Sequence, residues 1–245
     1  MTVRTLDPAT HSIPAPVPCK LAQAARALRM AALALLAASC SSGGSGNTNY
    51  AQFYTLMRQS LSASFGKIRV TRDQAAAVSY ASMGYSLDGG NQTMLILATD
   101  SGGELLWTSA AHVVIVTRDG RIVRTLGLGS DLSGVTAPNG SNVSPLTAAL
   151  QGPFTSTRLE DFPELGRYGV QVSCRAHMVG RQSIKILGQA IAAVRVDENC
   201  RSERPEWSFT DNFWLDSDNG QVWRSRQHVH PKGGIVETEI FRPPG

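Results

Sequence analysis

From about residue 78 the chain is a succession of short apolar or alternating runs broken by Gly-, Asp- and Asn-rich turns. That cadence leaves room for little besides antiparallel β-structure. Val78–Met83 alternates, 88–91 (Asp-Gly-Gly-Asn) turns, and Gln92–Thr99 is a strongly apolar strand. Ser101-Gly102-Gly103 turns into Glu104–Ser109. Val113–Val116 and Arg121–Thr125 then flank Asp119-Gly120, a dipeptide suited to the tight turn of a hairpin. Residues 129–147, rich in Gly, Ser and Asn, read as a long surface loop with a short helix near 145–150. Beyond it Tyr168–Met178 and Gln182–Leu187 flank Gly180-Arg181, and Leu187-Gly188 turns into Ala190–Val196. Trp207–Leu215, a turn at 216–220, Val222–Val229 and Ile235–Phe241 complete the series. Short connections make sequence neighbours pair antiparallel. The expected fold is therefore all-β: an antiparallel meander forming a strongly curved sheet or open barrel.

The first 77 residues are organised differently. Tyr50, Phe53, Tyr54, Met57, Leu61 and Phe65 recur at spacings of three and four, which predicts an N-terminal amphipathic helix over residues 50–65. A second short helix is expected at 71–77. Ahead of these, Arg4, Lys20, Arg26 and Arg29 precede an apolar run at 30–39 that ends at Cys40. The run is about half the roughly 20 residues a membrane-spanning helix needs. A basic segment, a short apolar core and small residues before a boundary describe a secretion signal. Leu36-Ala37-Ala38-Ser39-Cys40 resembles a bacterial lipobox, in which the cysteine is acylated and becomes the first residue; Ala37 stands where the motif usually has Leu.

The expected domains are then a lipoprotein signal peptide over 1–39, a lipidated Cys40 with a Ser/Gly/Asn tether over 40–49, and one β-rich periplasmic domain over 50–245. The lipid bilayer is the expected partner of acylated Cys40, because each buried methylene contributes about 0.8 kcal/mol and several chains hold far better than one. Ser41 follows the cysteine, and the lipobox resemblance then points to the bacterial outer membrane.

Cleavage at this point changes what the composition means. The whole chain carries a formal charge of +4, but residues 1–39 hold four of its 23 basic and one of its 19 acidic residues. The remainder has 19 and 18, a net +1, which removes the argument for a nucleic-acid partner. The cysteines sort in the same way. Cys19 leaves with the signal, Cys40 carries lipid, and Cys174 and Cys200 remain, most simply as one disulfide in an oxidising compartment. A metal site is the weaker alternative, since neither cysteine has a second ligand close by in sequence.

No segment carries a familiar catalytic pattern: there is no Gly-x-Ser-x-Gly, phosphate-binding loop or His-Glu-x-x-His. No catalytic residue, metal or cofactor is therefore expected, although a glycosidase-like acid pair leaves no local signature. Asp216-Ser217-Asp218-Asn219-Gly220 has glycine where a calcium loop needs its third acid or amide, and reads as a hairpin turn. Arg224, Arg226, His228 and His230 share one parity along a strand. They form a candidate contact for an anionic glycan through paired hydrogen bonds, or a solvated face. Trp207, Phe209, Phe213, Trp214 and Trp223 concentrate aromatic mass on two strands, which reads as core packing ahead of sugar stacking.

Trp107, the stretch Val114–Leu128, Phe213-Trp214-Leu215 and 220–227 together resemble the YjbF/GfcB-like lipoproteins, and the likeness runs from the lipobox to the last strand. The resemblance implies an outer-membrane lipoprotein acting as a non-enzymatic accessory factor in exopolysaccharide or capsule production or export, with polysaccharide export proteins or polymer as partners. It supplies no catalytic residues. A lipid- or glycan-binding periplasmic module and a polysaccharide-modifying enzyme stand as alternatives. A deep apolar cavity would favour the module. Facing carboxylates, or an acid held above its ordinary pKa in a cleft, would favour the enzyme, and a closed core the accessory factor.

Overall fold

The computed structural model describes residues 67–138 and 143–245. The expected signal peptide, Cys40 with its tether, and the helix over 50–65 lie outside the described residues. The first described element is a one-turn helix, α1 (Arg72–Ala76), opened by a capping box in which Thr71 and Gln74 satisfy each other's backbone N–H groups. Twelve strands follow: β1 (Ser82–Leu87), β2 (Thr93–Ser101), β3 (Glu104–Thr108), β4 (Val114–Arg118), β5 (Arg121–Leu126), β6 (Gly134–Thr136), β7 (Phe154–Phe162), β8 (Arg167–Ile186), β9 (Gln189–Glu203), β10 (Glu206–Leu215), β11 (Val222–His228) and β12 (Ile235–Arg242). A second short helix, α2 (Pro145–Ala148), lies between β6 and β7.

All twelve strands belong to one antiparallel sheet in the order β5-β4-β3-β2-β1-β12-β11-β10-β9-β8-β7-β6. Every strand thus pairs with its neighbour in sequence except at the step from β5 to β6, and β1 pairs with β12, from Ser82 opposite Arg242 to Leu87 opposite Val236. The sheet curls until β5 and β6, consecutive in the chain, face each other across a seam. The all-β, strongly curved reading holds, and the sheet is nearly closed into a barrel.

Local chemistry explains the turns. Asp119 and Gly120 both have positive φ, as do Asp88 and Gly89, which is the backbone of the hairpin turn whose twist matches the flanking strands. At Gly120 a Cβ would also run into the side chain of Val222, so glycine is required there twice over.

The interior is filled by side chains. The main cluster contains Met83, Leu95, Trp107, Ile115, Leu132, Phe162, Val172 and Val236, nearly all without exposed surface. A second cluster under α2 joins Leu146 to Phe213 and Leu215. Trp214, between those two on β10, points the other way and packs with Ile184, Ile186 and Ala193 from the far half of the β8–β9 hairpin. The aromatic residues of β10 and β11 are therefore core material.

Two expectations need correcting, and one strand lies where none was expected. Residues 154–162 form β7, a strand that no run of hydrophobes announces because its inward positions include Arg158 and Glu160. Gly180-Arg181 is not a turn: β8 continues through it for 20 residues, with the register shifting between Met178 and Gly180 as in a bulge. Residues 129–147 are not one open loop. Asp131 gathers the N–H groups of Gly127 and Leu128 and the hydroxyl of Thr125 into a compact turn that crosses the seam, and β6 and α2 follow.

Candidate functional site

Cys174 on β8 and Cys200 on β9 stand directly opposite each other and form a disulfide, with Cα atoms 4.1 Å apart. Both are inside the sheet. Closing a 26-residue separation stabilises by about 3 kcal/mol on the chain-entropy account. The Cys174→Ser, Cys200→Ser double variant should lose about that much in urea unfolding, and the wild type in reductant should match it; a midpoint unmoved by reduction would reject the contribution.

Around this disulfide lies a buried ionic cluster that the sequence reading did not single out. Arg158 on β7 donates from Nε to Glu160 at 2.6 Å, and from Nη1 to Glu198 at 3.1 Å and to the Cys174 sulfur at 2.9 Å. Arg121 on β5 reaches Glu198 from the other side of the seam, its Nη2 lying 2.8 Å from both carboxylate oxygens. Asp211 on β10 completes the group, 3.8 Å from Arg158 and 4.0 Å from Arg121. The Glu198 side chain has no exposed surface and that of Glu160 has 3%.

Glu198 therefore ties two strands that make no backbone pairing to each other. The two arginines also cap rings, Arg121 over Phe213 and Arg158 over Phe209.

Burial and partners divide the two glutamates. Burial raises the Glu198 carboxyl, but the guanidinium groups of Arg121 and Arg158 outweigh it and hold the carboxyl below the ordinary range. At Glu160 burial wins over the attraction of Arg158, and the carboxyl lies above the ordinary range. Burial also opposes the charge on Arg158, yet Glu160, Glu198 and Asp211 together hold it more firmly protonated than usual. Two cations thus face three acids, one of which holds its proton more readily than a free carboxyl. Divergent carboxylates of this kind are what an acid–base pair would need. Here both are sealed behind guanidinium groups.

Cys174, Glu198 and Cys200 come close enough together to suggest metal ligands. The sulfurs are joined to each other and Glu198 is held by two arginines, so that trio is already committed.

The seam itself is closed unevenly. The side-chain amide of Gln227 reaches from β11, accepting from the Ile122 N–H and donating to the Gly120 carbonyl, so it serves β5 as a strand partner would. Thr125 N–H donates to the Leu132 carbonyl. On the other side β6 pairs with β7 only at Leu159–Asp161. Between β5 and the uncovered start of β7 lies a cleft of about 810 Å³, lined by Arg118, Arg121 and Phe154–Arg158 among others. That is within the usual range for a binding pocket.

The row read from the sequence is distributed as follows. Arg224 pairs with Glu239 at 2.7 Å and lies over Trp214, and Arg226 pairs with Glu237 at 2.9 Å, both beside a smaller hollow of about 310 Å³. His228 turns to Asp211, 3.0 Å from its Nδ1. His230 lies beyond the strand end, buried edge-on against Phe162, and burial lowers its pKa. Arg224 and Arg226 are thus neighbours, whereas the two histidines are drawn toward the interior.

These features define a class: an up-and-down β-barrel-like domain whose inside is occupied by its own side chains. The chain belongs to the family described as group 4 capsule polysaccharide lipoprotein GfcB/YjbF, which it matches over residues 58–241. It is 28% identical over 176 residues to the uncharacterized lipoprotein GfcB of Escherichia coli (strain K12), covering 71% of this chain and 80% of that one. To the uncharacterized lipoprotein YjbF of the same organism it is 29% identical over 180 residues, covering 71% and 81%. The crystal structure of the hypothetical lipoprotein YmcC from Escherichia coli (K12) has the same fold. The TM-score is 0.60 at 23% identity, covering 83% of this chain and all of that one.

Proposed function

We propose that this chain is an outer-membrane-anchored, periplasm-facing lipoprotein that assists the production or export of an exopolysaccharide or capsule without catalysing a reaction. The observation that carries the reading is the match over residues 58–241 to a family of capsule polysaccharide lipoproteins. Two structural features support it against its rivals. The main core leaves its interior filled, with Trp107, Phe162 and Leu95 fully buried, which gives a lipid no apolar chamber among the described residues. The two acids with divergent pKa values, Glu160 and Glu198, are bonded to arginines and closed to solvent, so this pair is not placed to meet a glycosidic bond.

The anchor is Cys40, acylated after removal of residues 1–39, and the machinery or polymer it serves lies within reach of the membrane surface. Cys40→Ser should move the protein from the membrane to the soluble periplasmic fraction, and deletion of the gene should depress secreted polymer. Unchanged membrane partitioning would sink the anchor, and normal polymer secretion in the deletion strain would sink the function.

A further inference from the structure

Five consecutive residues of β7, Phe154–Arg158, line the cleft at the seam. Successive side chains of a strand point to opposite faces, so a space touched by all five lies against the edge of the strand and not over one face. β8 covers the other edge from Phe154 onward, and β6 begins pairing only at Leu159. The N–H and C=O groups of this stretch that β8 does not use therefore look into the cleft without partners among the described residues. Exposed Thr155 and Thr157 add hydroxyls. Arg121, on the opposite wall, uses one nitrogen for its hydrogen bonds to Glu198 and has other N–H groups to spare.

Charge decides the class of occupant. Arg121 and Arg158 are matched by Glu160, Glu198 and Asp211, Arg118 is paired with Glu104, and Asp119 adds a further negative charge at the rim. An anion would find no uncompensated positive charge here. A row of hydroxyls, donating and accepting at once, would find both kinds of partner.

The geometry points to an uncharged segment of polysaccharide, bound along the free edge of β7, as the ligand of this cleft. This rests on the capsule reading and names the site through which it would act.

The test uses the full chain in detergent micelles. The probes are fragments of the host's own secreted polysaccharide, obtained by partial acid hydrolysis and separated by anion exchange into uncharged and acidic fractions. Calorimetric titration should show binding of the uncharged fraction. Thr157→Trp, which fills the lip of the cleft from an exposed position, should weaken it at least tenfold with an unchanged melting temperature; Thr155→Trp serves as a second block. Arg118→Glu should alter it by less than twofold. Binding of the acidic fraction alone, of neither fraction, or binding by both tryptophan variants as tight as that of the wild type would overturn the assignment. So would displacement of the sugar by a ten-residue Ser/Thr-rich extended peptide that binds more tightly. Polymer secretion in the deletion strain is read separately: lost secretion with no sugar binding refutes the cleft and leaves the function standing, and normal secretion refutes the function.

Discussion

Glu198→Gln should destabilise the protein by about 3–5 kcal/mol in urea unfolding at neutral pH, the range for breaking a buried ion pair by removing one partner. Arg121 and Arg158 converge on this one carboxylate from opposite sides of the seam, and both are about nine-tenths buried. Glutamine keeps the shape, yet its amide places N–H donors where two guanidinium groups already donate. The effect has a pH signature. Glu198 titrates below its ordinary value of 4.5, so its contribution is complete above that value and disappears as pH falls through the depressed pKa. The gap between wild type and variant should therefore shrink in acid. Glu160, held above its ordinary value, has the opposite sign: its contribution is full at low pH and is lost as pH rises. A loss under 1 kcal/mol, or a gap that does not depend on pH, would mean that the cluster does not hold the seam.

Trp107→Ala should cost about 3–5 kcal/mol, the range for emptying a buried aromatic site. Trp107 has no exposed surface, and its indole N–H donates to Thr117 Oγ1 at 2.9 Å. The pairing of Trp107 with Ile115 places Thr117 two residues along the facing strand, on the same face. Trp107→Phe separates the two contributions. It keeps most of the apolar contact but orphans the Thr117 hydroxyl, and should cost about 1–3 kcal/mol. Equal losses for the two variants would assign the effect to the hydrogen bond, and a negligible loss for phenylalanine would assign it to packing.

The architecture was legible where strands obey the period of two and turns carry Asp-Gly or Gly-Gly. It failed at β7. Phe154 and Phe162 face inward as a strand requires, but Arg158 and Glu160 occupy the positions between, and a pattern built on hydrophobes passes over them. The same residues carry the ionic cluster, so one omission hid both a strand and a site. A clue was present on the better-read strands. Glu198 sits between Val196 and Cys200, and Asp211 between Phe209 and Phe213, each at an inward parity where a lone carboxylate is too costly to leave unpaired. Two such acids demanded buried cations that the sequence alone did not locate. Gly180 misled for the opposite reason: a glycine inside a long strand marked a bulge, and only the pairing with β9 distinguishes the two.

Because each strand except at the β5–β6 step lies beside its neighbour in sequence, nearly all of the sheet can form by local zippering, with short loops and little entropy lost per closure. The exception is the contact of β1 with β12, which brings Ser82 to Arg242 across the whole length of the domain. Two meanders, β1–β5 and β6–β12, can each assemble by themselves and then must find one another. The expected slow event in folding is that search, made between the first and last strands of the sheet, and a growing chain cannot complete it until β12 has been added.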